Sequence, residues 1–310
     1  MRRALLLAAA ASLAGCTTTT ASPPPTAAAP MVVTPPAPSA DAVQAERIRR
    51  FQYLYGSGEA GAVSIQAYHS LVDFVRAKIA WLTQARPTRR PADSVILAAG
   101  STLADPHFVP CGEKPFAAVF DVDETVLLNL GAEVGEATGT SRRGALDRWA
   151  ASGSPAVAPV PGAKYALDAL REMGVAVIFN TNRDNTSAAG TAAQIDSIGL
   201  GPAIHGQNLY LRGDADGTPG KDGRRAAIAA QYCVIVMGGD QLGDFFDAFN
   251  ARGLPVPERR QAASRGWAAQ MWGDGWFILP NPAYGPSLAG SVDDIFPTDK
   301  RWDDSEGAAQ

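Results

Sequence analysis

From residue 116 onward, short apolar runs alternate with longer segments whose apolar residues recur every third or fourth position. Phe116-Ala117-Ala118-Val119-Phe120, Val175 to Asn180, Cys233 to Met237 and Trp276 to Leu279 have strand length, and a weaker run covers Asn208 to Leu211. Continuous apolarity rather than strict alternation predicts strands buried on both faces. Between them, Pro161-Gly162 opens a helix with Leu167, Leu170 and Met173 on one side, closed by Gly174. Helices are also predicted near Ser187 to Ile198 and Gly223 to Tyr232. The order predicts an α/β fold, a doubly wound parallel sheet. Upstream, Leu71, Phe74, Val75, Ile79 and Leu82 mark a helical region over Glu46 to Thr83, whereas Arg86 to Pro110 reads as an irregular connector. The segment Val126 to Pro159, inserted after the first strand, predicts a small cap.

The N-terminus changes the picture. Arg2 and Arg3 precede an apolar stretch, Ala4 to Ser12, that is too short to span a bilayer, so residues 1–15 read as a signal peptide. Leu13-Ala14-Gly15-Cys16 resembles a bacterial lipobox, which implies cleavage before Cys16, its lipidation, and export as a membrane-anchored lipoprotein. Thr17, rather than Asp, points to an outer membrane. Residues 16–42, rich in Thr, Pro and Ala, predict a disordered tether reaching roughly 80 Å. The expected organisation continues with an N-terminal helical extension and connector (43–110), a core (111–290) holding a cap at about 126–160, and a tail (291–310). Losing Arg2 and Arg3 takes the formal charge from −4 to −6, which excludes a basic footprint for duplex nucleic acid. In an oxidising compartment Cys111 and Cys233 form either a disulfide or two free thiols.

Candidate chemistry gathers where the apolar runs stop. Asp121-Val122-Asp123-Glu124-Thr125 places two carboxylates at the end of the first strand, one able to attack an electrophile while the other handles the proton. Thr181-Asn182-Arg183 ends the second run and offers groups for a phosphoryl oxygen. Lys221 precedes a helix and can neutralise that group or hold the nucleophile. Gly238-Gly239-Asp240-Gln241-Leu242-Gly243-Asp244 ends the third; its clustered carboxylates need a cation, and oxygen-only ligands favour Mg²⁺. Asp214-Ala215-Asp216-Gly217-Thr218 is a poor calcium loop, because its glycine falls too early.

These elements, in this order, resemble the haloacid dehalogenase (HAD) superfamily, and within it the class C acid phosphatases, the group of lipoprotein e phosphomonoesterase. Asp121 through Asn129 matches D-x-D-E-T-[VM]-L-x-[NT], and Gly239 through Phe245 matches G-D-x-L-x-D-F. Thr181 to Arg183 and Pro280 to Gly285 match shorter motifs, and the likeness spans Phe51 to Gly285. It departs at Val122, at Gln241, and at Ala132, where the family commonly has Tyr. The resemblance implies a HAD-like fold and Mg²⁺-dependent hydrolysis of phosphomonoesters, 5′-nucleotides among them, through an aspartyl-phosphate. Asp121 is then the nucleophile, Asp123 the general acid and base, and Thr181 and Lys221 the phosphoryl ligands. Mg²⁺ is expected on Asp121, the Val122 carbonyl, Asp240 and Asp244, with substrate at Asn182, Arg183, Trp149 and Tyr284. A phosphotransferase of the same fold and a non-catalytic binding module are the alternatives.

Overall fold

The computed structural model describes residues 39–85, 93–215 and 217–302. The expected signal peptide and Cys16 lie outside them, as does the tether up to Pro38. Helix α1 (Ala40–Gly56) starts where the Ser39 hydroxyl accepts from the Ala42 amide at 3.2 Å, so the last tether residues are helical. The helical region is two helices, not one. Gly56-Ser57-Gly58 interrupts it, with Ser57 extended and its hydroxyl capping the Ala60 amide of α2 (Gly58–Ala85) at 3.1 Å.

The expected connector holds an antiparallel pair, β1 (Asp93–Leu97) and β2 (Phe108–Pro110). It forms because Val95, Ile96 and Leu97 are buried against one face of the main sheet, while the Ser94 hydroxyl donates to the Val234 carbonyl at 3.0 Å. Next come β3 (Phe116–Phe120) and the cap, built from β4 (Leu127–Leu128), α3 (Leu130–Thr138), α4 (Ala145–Ser152) and β5 (Ala158–Pro159). The remaining units are α5 (Ala163–Glu172), β6 (Ala176–Asp184), α6 (Ala188–Ser197), β7 (Leu209–Arg212), α7 (Asp222–Gln231), β8 (Cys233–Gly239), α8 (Val256–Ser264), α9 (Gly266–Met271) and β9 (Trp276–Ile278). In the expected tail, Val292–Ile295 forms a further short helix.

Five parallel strands lie in the order β7-β6-β3-β8-β9, which puts β3 at the centre. Period-two alternation divides its side chains. Ala118 and Phe120 pack with Tyr68, Leu71 and Val75 of α2 and Leu167 of α5, and Ala117 and Val119 face Val95, Ile228 of α7 and Trp276. The fold is thus a doubly wound α/β sheet, with the N-terminal helices and small helical cap in place. Cys111 and Cys233 form a disulfide that ties the segment before β3 to the start of β8, at the sheet end away from Asp121. No helix among the described residues is long and apolar enough to cross a membrane.

Candidate active site

Because β3, β6 and β8 run parallel, their polar ends emerge on one edge. The Asp121 amide donates to the Gly238 carbonyl at 3.0 Å, carrying the β3–β8 pairing one residue past the strand. The chain then turns sharply. The Val122 carbonyl accepts from the amides of Val126 (3.0 Å) and Leu127 (3.1 Å), and Glu124 sits at a φ of 54°, which a non-glycine residue holds only when its surroundings fix it. The Val122 carbonyl, expected among the metal ligands, is thus already accepting two amides that close the turn.

Asp121, Asp240 and Asp244 bring carboxylate oxygens within 4.8 Å of one another. Gly238 and Gly239 permit this approach, since a Cβ on Gly238 would lie 2.7 Å from the Phe120 ring and one on Gly239 would lie 2.4 Å from the Asp244 Cβ. Buried Lys221 bridges two of the three, its ammonium donating to Asp121 and, at 2.7 Å, to Asp244. Asp240 receives only neutral donors: the Thr125 hydroxyl at 2.9 Å, Asn281 at 2.7 Å and Gln241 at 3.2 Å. Burial pushes Asp121 well above the usual carboxylate range despite Lys221, with Asp244 and Asp240 adding to it. Burial and then Asp244 raise Asp240 to about 7. Burial alone would lower Lys221, but Asp121 and Asp244 outweigh it and hold its pKa above the ordinary value. Three carboxylates against one ammonium leave two negative charges, and the donors are all oxygen, which fits a hard divalent cation.

Asp123 is held differently. Arg183 grips it through Nε (2.9 and 3.2 Å) and Nη2 (2.8 Å), Asn129 donates to it at 2.7 Å, and the Thr181 hydroxyl donates at 3.3 Å. Burial opposes ionisation of Asp123, but the Arg183 guanidinium and the Asn129 bond prevail and lower its pKa. The remaining N–H groups of Arg183 go to Thr191, Gln194 and Asn129. All five donors are therefore consumed inside the protein, so Arg183 positions Asp123 rather than binding substrate as expected. Asn182 is exposed at the cavity, its side-chain oxygen accepting from Arg224 at 2.6 Å. Trp149 lines the cavity while its indole donates to Asn129 at 3.2 Å, so it also supports the residue that holds Asp123.

Residues that the sequence reading did not single out complete the frame. Buried Glu124 accepts from the Tyr55 hydroxyl of α1 at 2.8 Å, from the Asn129 amide at 3.0 Å, and from the Tyr284 hydroxyl. Burial, then Asp123, raise it to about 8. One side chain thus joins the N-terminal helix, the turn and the late Tyr284 loop. Its place inside D-x-D-E-T was visible, but its partners are 69 and 160 residues away. Behind Lys221, Asp247 accepts from the amides of Lys221 (2.9 Å) and Asp222 (2.8 Å), and buried Arg225 caps the Gly243 and Asp244 carbonyls at 3.0 and 2.6 Å. Asp214 of the rejected calcium loop pairs with His205 at 2.9 Å and caps the Leu211 amide; Asp216 lies outside the described residues.

A cavity of about 610 Å³ opens over Asp121, Asp123, Lys221, Asp240 and Asp244, with Trp149 and Tyr284 on its walls. Of the expected catalytic residues, Asp121, Asp123 and Lys221 line it, whereas Thr181 is fully buried behind Asp123, to which its hydroxyl donates. The model of the HAD superfamily, subfamily IIIB (acid phosphatase), matches residues 61–287, well over half the chain. The class C acid phosphatase from Bacillus anthracis superimposes with a TM-score of 0.59 at 22% identity, covering 78% of this chain and 86% of that one. The tungstate-bound crystal structure of class C acid phosphatase from Bacillus anthracis gives 0.60 at 21% identity, over 82% and 94%. At such identity the likeness establishes the fold. No curated protein sequence matches the chain.

Proposed function

The chain belongs to subfamily IIIB of the HAD superfamily, the acid phosphatases, and on that footing we propose that it hydrolyses phosphomonoesters through an aspartyl-phosphate on Asp121. The observation that carries this is the pairing of a Lys221-held carboxylate with a second acid, Asp123, gripped separately two residues on. Asp121 attacks phosphorus as the leaving oxygen departs and takes a proton from Asp123, which donates from its protonated form, populated at acid pH because Arg183 favours the carboxylate. Asp123 then removes a proton from the water that opens the acyl phosphate, and Asp121 is regenerated. Lys221 lines the cavity where its cation offsets charge on the phosphoryl oxygens in the transition state, and Thr181, buried behind Asp123, is the second ligand proposed for them.

Asp121, Asp240 and Asp244 are the ligands proposed for Mg²⁺. When bound, Mg²⁺ lets an anionic ester approach an anionic nucleophile and stabilises the developing charge. Half-buried Tyr284, its hydroxyl fixed by Glu124, offers a wall for an aromatic leaving group such as a nucleobase, which supports 5′-nucleotides as one substrate class. Lipidation at Cys16 and export remain readings of the N-terminal sequence. The disulfide supports an oxidising compartment, and loss of a covalently attached acyl mass in a Cys16→Ser chain tests the anchor.

The decisive measurement is phosphate release from p-nitrophenyl phosphate by the full chain. Activity should require Mg²⁺ and vanish with a chelator, and Asp121→Asn should abolish turnover at equal folded content. Unchanged hydrolysis by Asp121→Asn would defeat the mechanism. Glycerol phosphate formed from added glycerol would identify a transferase instead.

A further inference from the structure

On the leaving-group side of Asp123, one carboxyl has no protein partner. Glu133 stands one helical turn beyond Asn129, its amide donating to the Asn129 carbonyl at 2.9 Å, and Asn129 holds Asp123. Glu133 is 5% exposed, yet among the described residues no hydrogen-bond donor or cation reaches its carboxyl group. Burial, aided by Glu136 and Asp123, lifts it to about 7. Its oxygens are not sealed in the protein but open onto the cavities that Glu133 lines, where they are free to accept from a bound molecule.

Glu133 lines the cavity over Asp121 and also a second cavity of about 250 Å³, with Leu146 and Tyr284 shared by both. The second cavity lies between α1 and the cap, where α1 contributes Arg47, Arg50 and Phe51. The Nε of Arg50 is likewise buried without a partner. The Glu133 carboxyl, open to the cavity, and the unmet N–H of Arg50 therefore flank a space adjoining the place where an ester's alcohol would leave.

We propose that Glu133 is a specificity-determining residue that takes hydrogen bonds from hydroxyl groups on the leaving alcohol, so that the subsite between α1 and α3 selects phosphorylated sugars and polyols over esters of apolar alcohols. The subsite rests on the phosphatase reading above. The chemistry matches at both ends. A polyhydroxylated leaving group brings donors for Glu133 and acceptors for Arg50, and an alkyl or aryl group brings neither. A site built around a buried hydrogen-bonding group rejects a ligand lacking the complement, because the protein group is then left unpaired.

The test compares ribose 5-phosphate, pentyl phosphate and p-nitrophenyl phosphate on the full chain with Mg²⁺. Wild type should prefer ribose 5-phosphate to pentyl phosphate by about 10-fold or more in kcat/KM; equal values overturn the subsite without any mutation. Glu133→Leu should lose roughly 10-fold on ribose 5-phosphate, mainly through KM, and stay within about twofold on p-nitrophenyl phosphate. Glu133→Gln, which keeps the shape and an acceptor, should restore most of that loss. Equal losses on both esters, or none on ribose 5-phosphate, overturn the proposal. A wild type that hydrolyses none of the three overturns the phosphatase reading itself.

Discussion

The two sides of the active-site cavity are built on opposite terms. On the sheet side, Lys221 bridges Asp121 and Asp244, Asp240 has three donors, and Asp123 is clamped by Arg183 and Asn129. On the cap side, the Glu133 carboxyl opens onto the cavity with no protein donor among the described residues, and Arg50 leaves an N–H unmet. A group that must be aimed before substrate arrives is held by the protein; a group that reads the substrate keeps its valence for it. The contrast predicts chemistry that is indifferent to the alcohol and recognition that depends on it.

The most severe way to break the sheet side is Lys221→Met. It should cost roughly 10²- to 10³-fold in kcat on every ester alike and lower the thermal midpoint, because Asp121 and Asp244 are left facing each other unpaired. A loss confined to one ester would contradict its place at the phosphoryl group. Arg183→Met should cost about 10²-fold on an alkyl phosphate but nearer 10-fold on p-nitrophenyl phosphate, whose leaving group needs less protonation. Equal losses would mean that Arg183 does more than aim Asp123.

The disulfide offers a control, because it sits at the far end of the sheet. Cys111→Ala with Cys233→Ala should reduce stability by about 2–4 kcal/mol in a denaturant titration while kcat of the folded enzyme stays unchanged. A fall in kcat would show that the two ends of the strands are coupled.

The smallest effect sharpens the cap side. Glu133 shares its cavities with Arg47 and Arg50 of α1 and with Asp147, and it interacts electrostatically with Glu136, Asp123 and Tyr55. Its folded pKa, about 7, lies above the ordinary glutamate value of 4.5, so the folded state resists ionisation. The penalty is absent below pH 4.5, grows as pH rises toward 7 and is complete above it. Glu133→Gln should therefore match wild type at pH 4 and be more stable by about 1–2 kcal/mol at pH 8. A difference independent of pH would show that the carboxyl is already satisfied.

Much of this was legible from local pattern. A run such as Phe116 to Phe120 can bury its side chains only as a strand between two layers, and the polar residues after Phe120, Asn180 and Met237 mark where the apolar strands end. Once those strands are parallel, their ends must share an edge, so the meeting of Asp121, Thr181 and Asp240 follows from the sequence. Steric and solvation rules acting over a few residues are sufficient for that. Direction and partnership are not local. Phe108 to Pro110 becomes a strand only because Asp93 to Leu97 finds the sheet face. A one-residue irregularity in β8 puts Ile235 and Val236 on the same side and reverses the alternation leading to Asp240. Arg183 turns to Asp123 because Gln194 and Thr191 catch its far end. Glu133 lies over a cavity because α1 closes the other wall. The sequence determined which groups reach the edge; only packing between distant segments decided which were satisfied there and which were left open for a substrate.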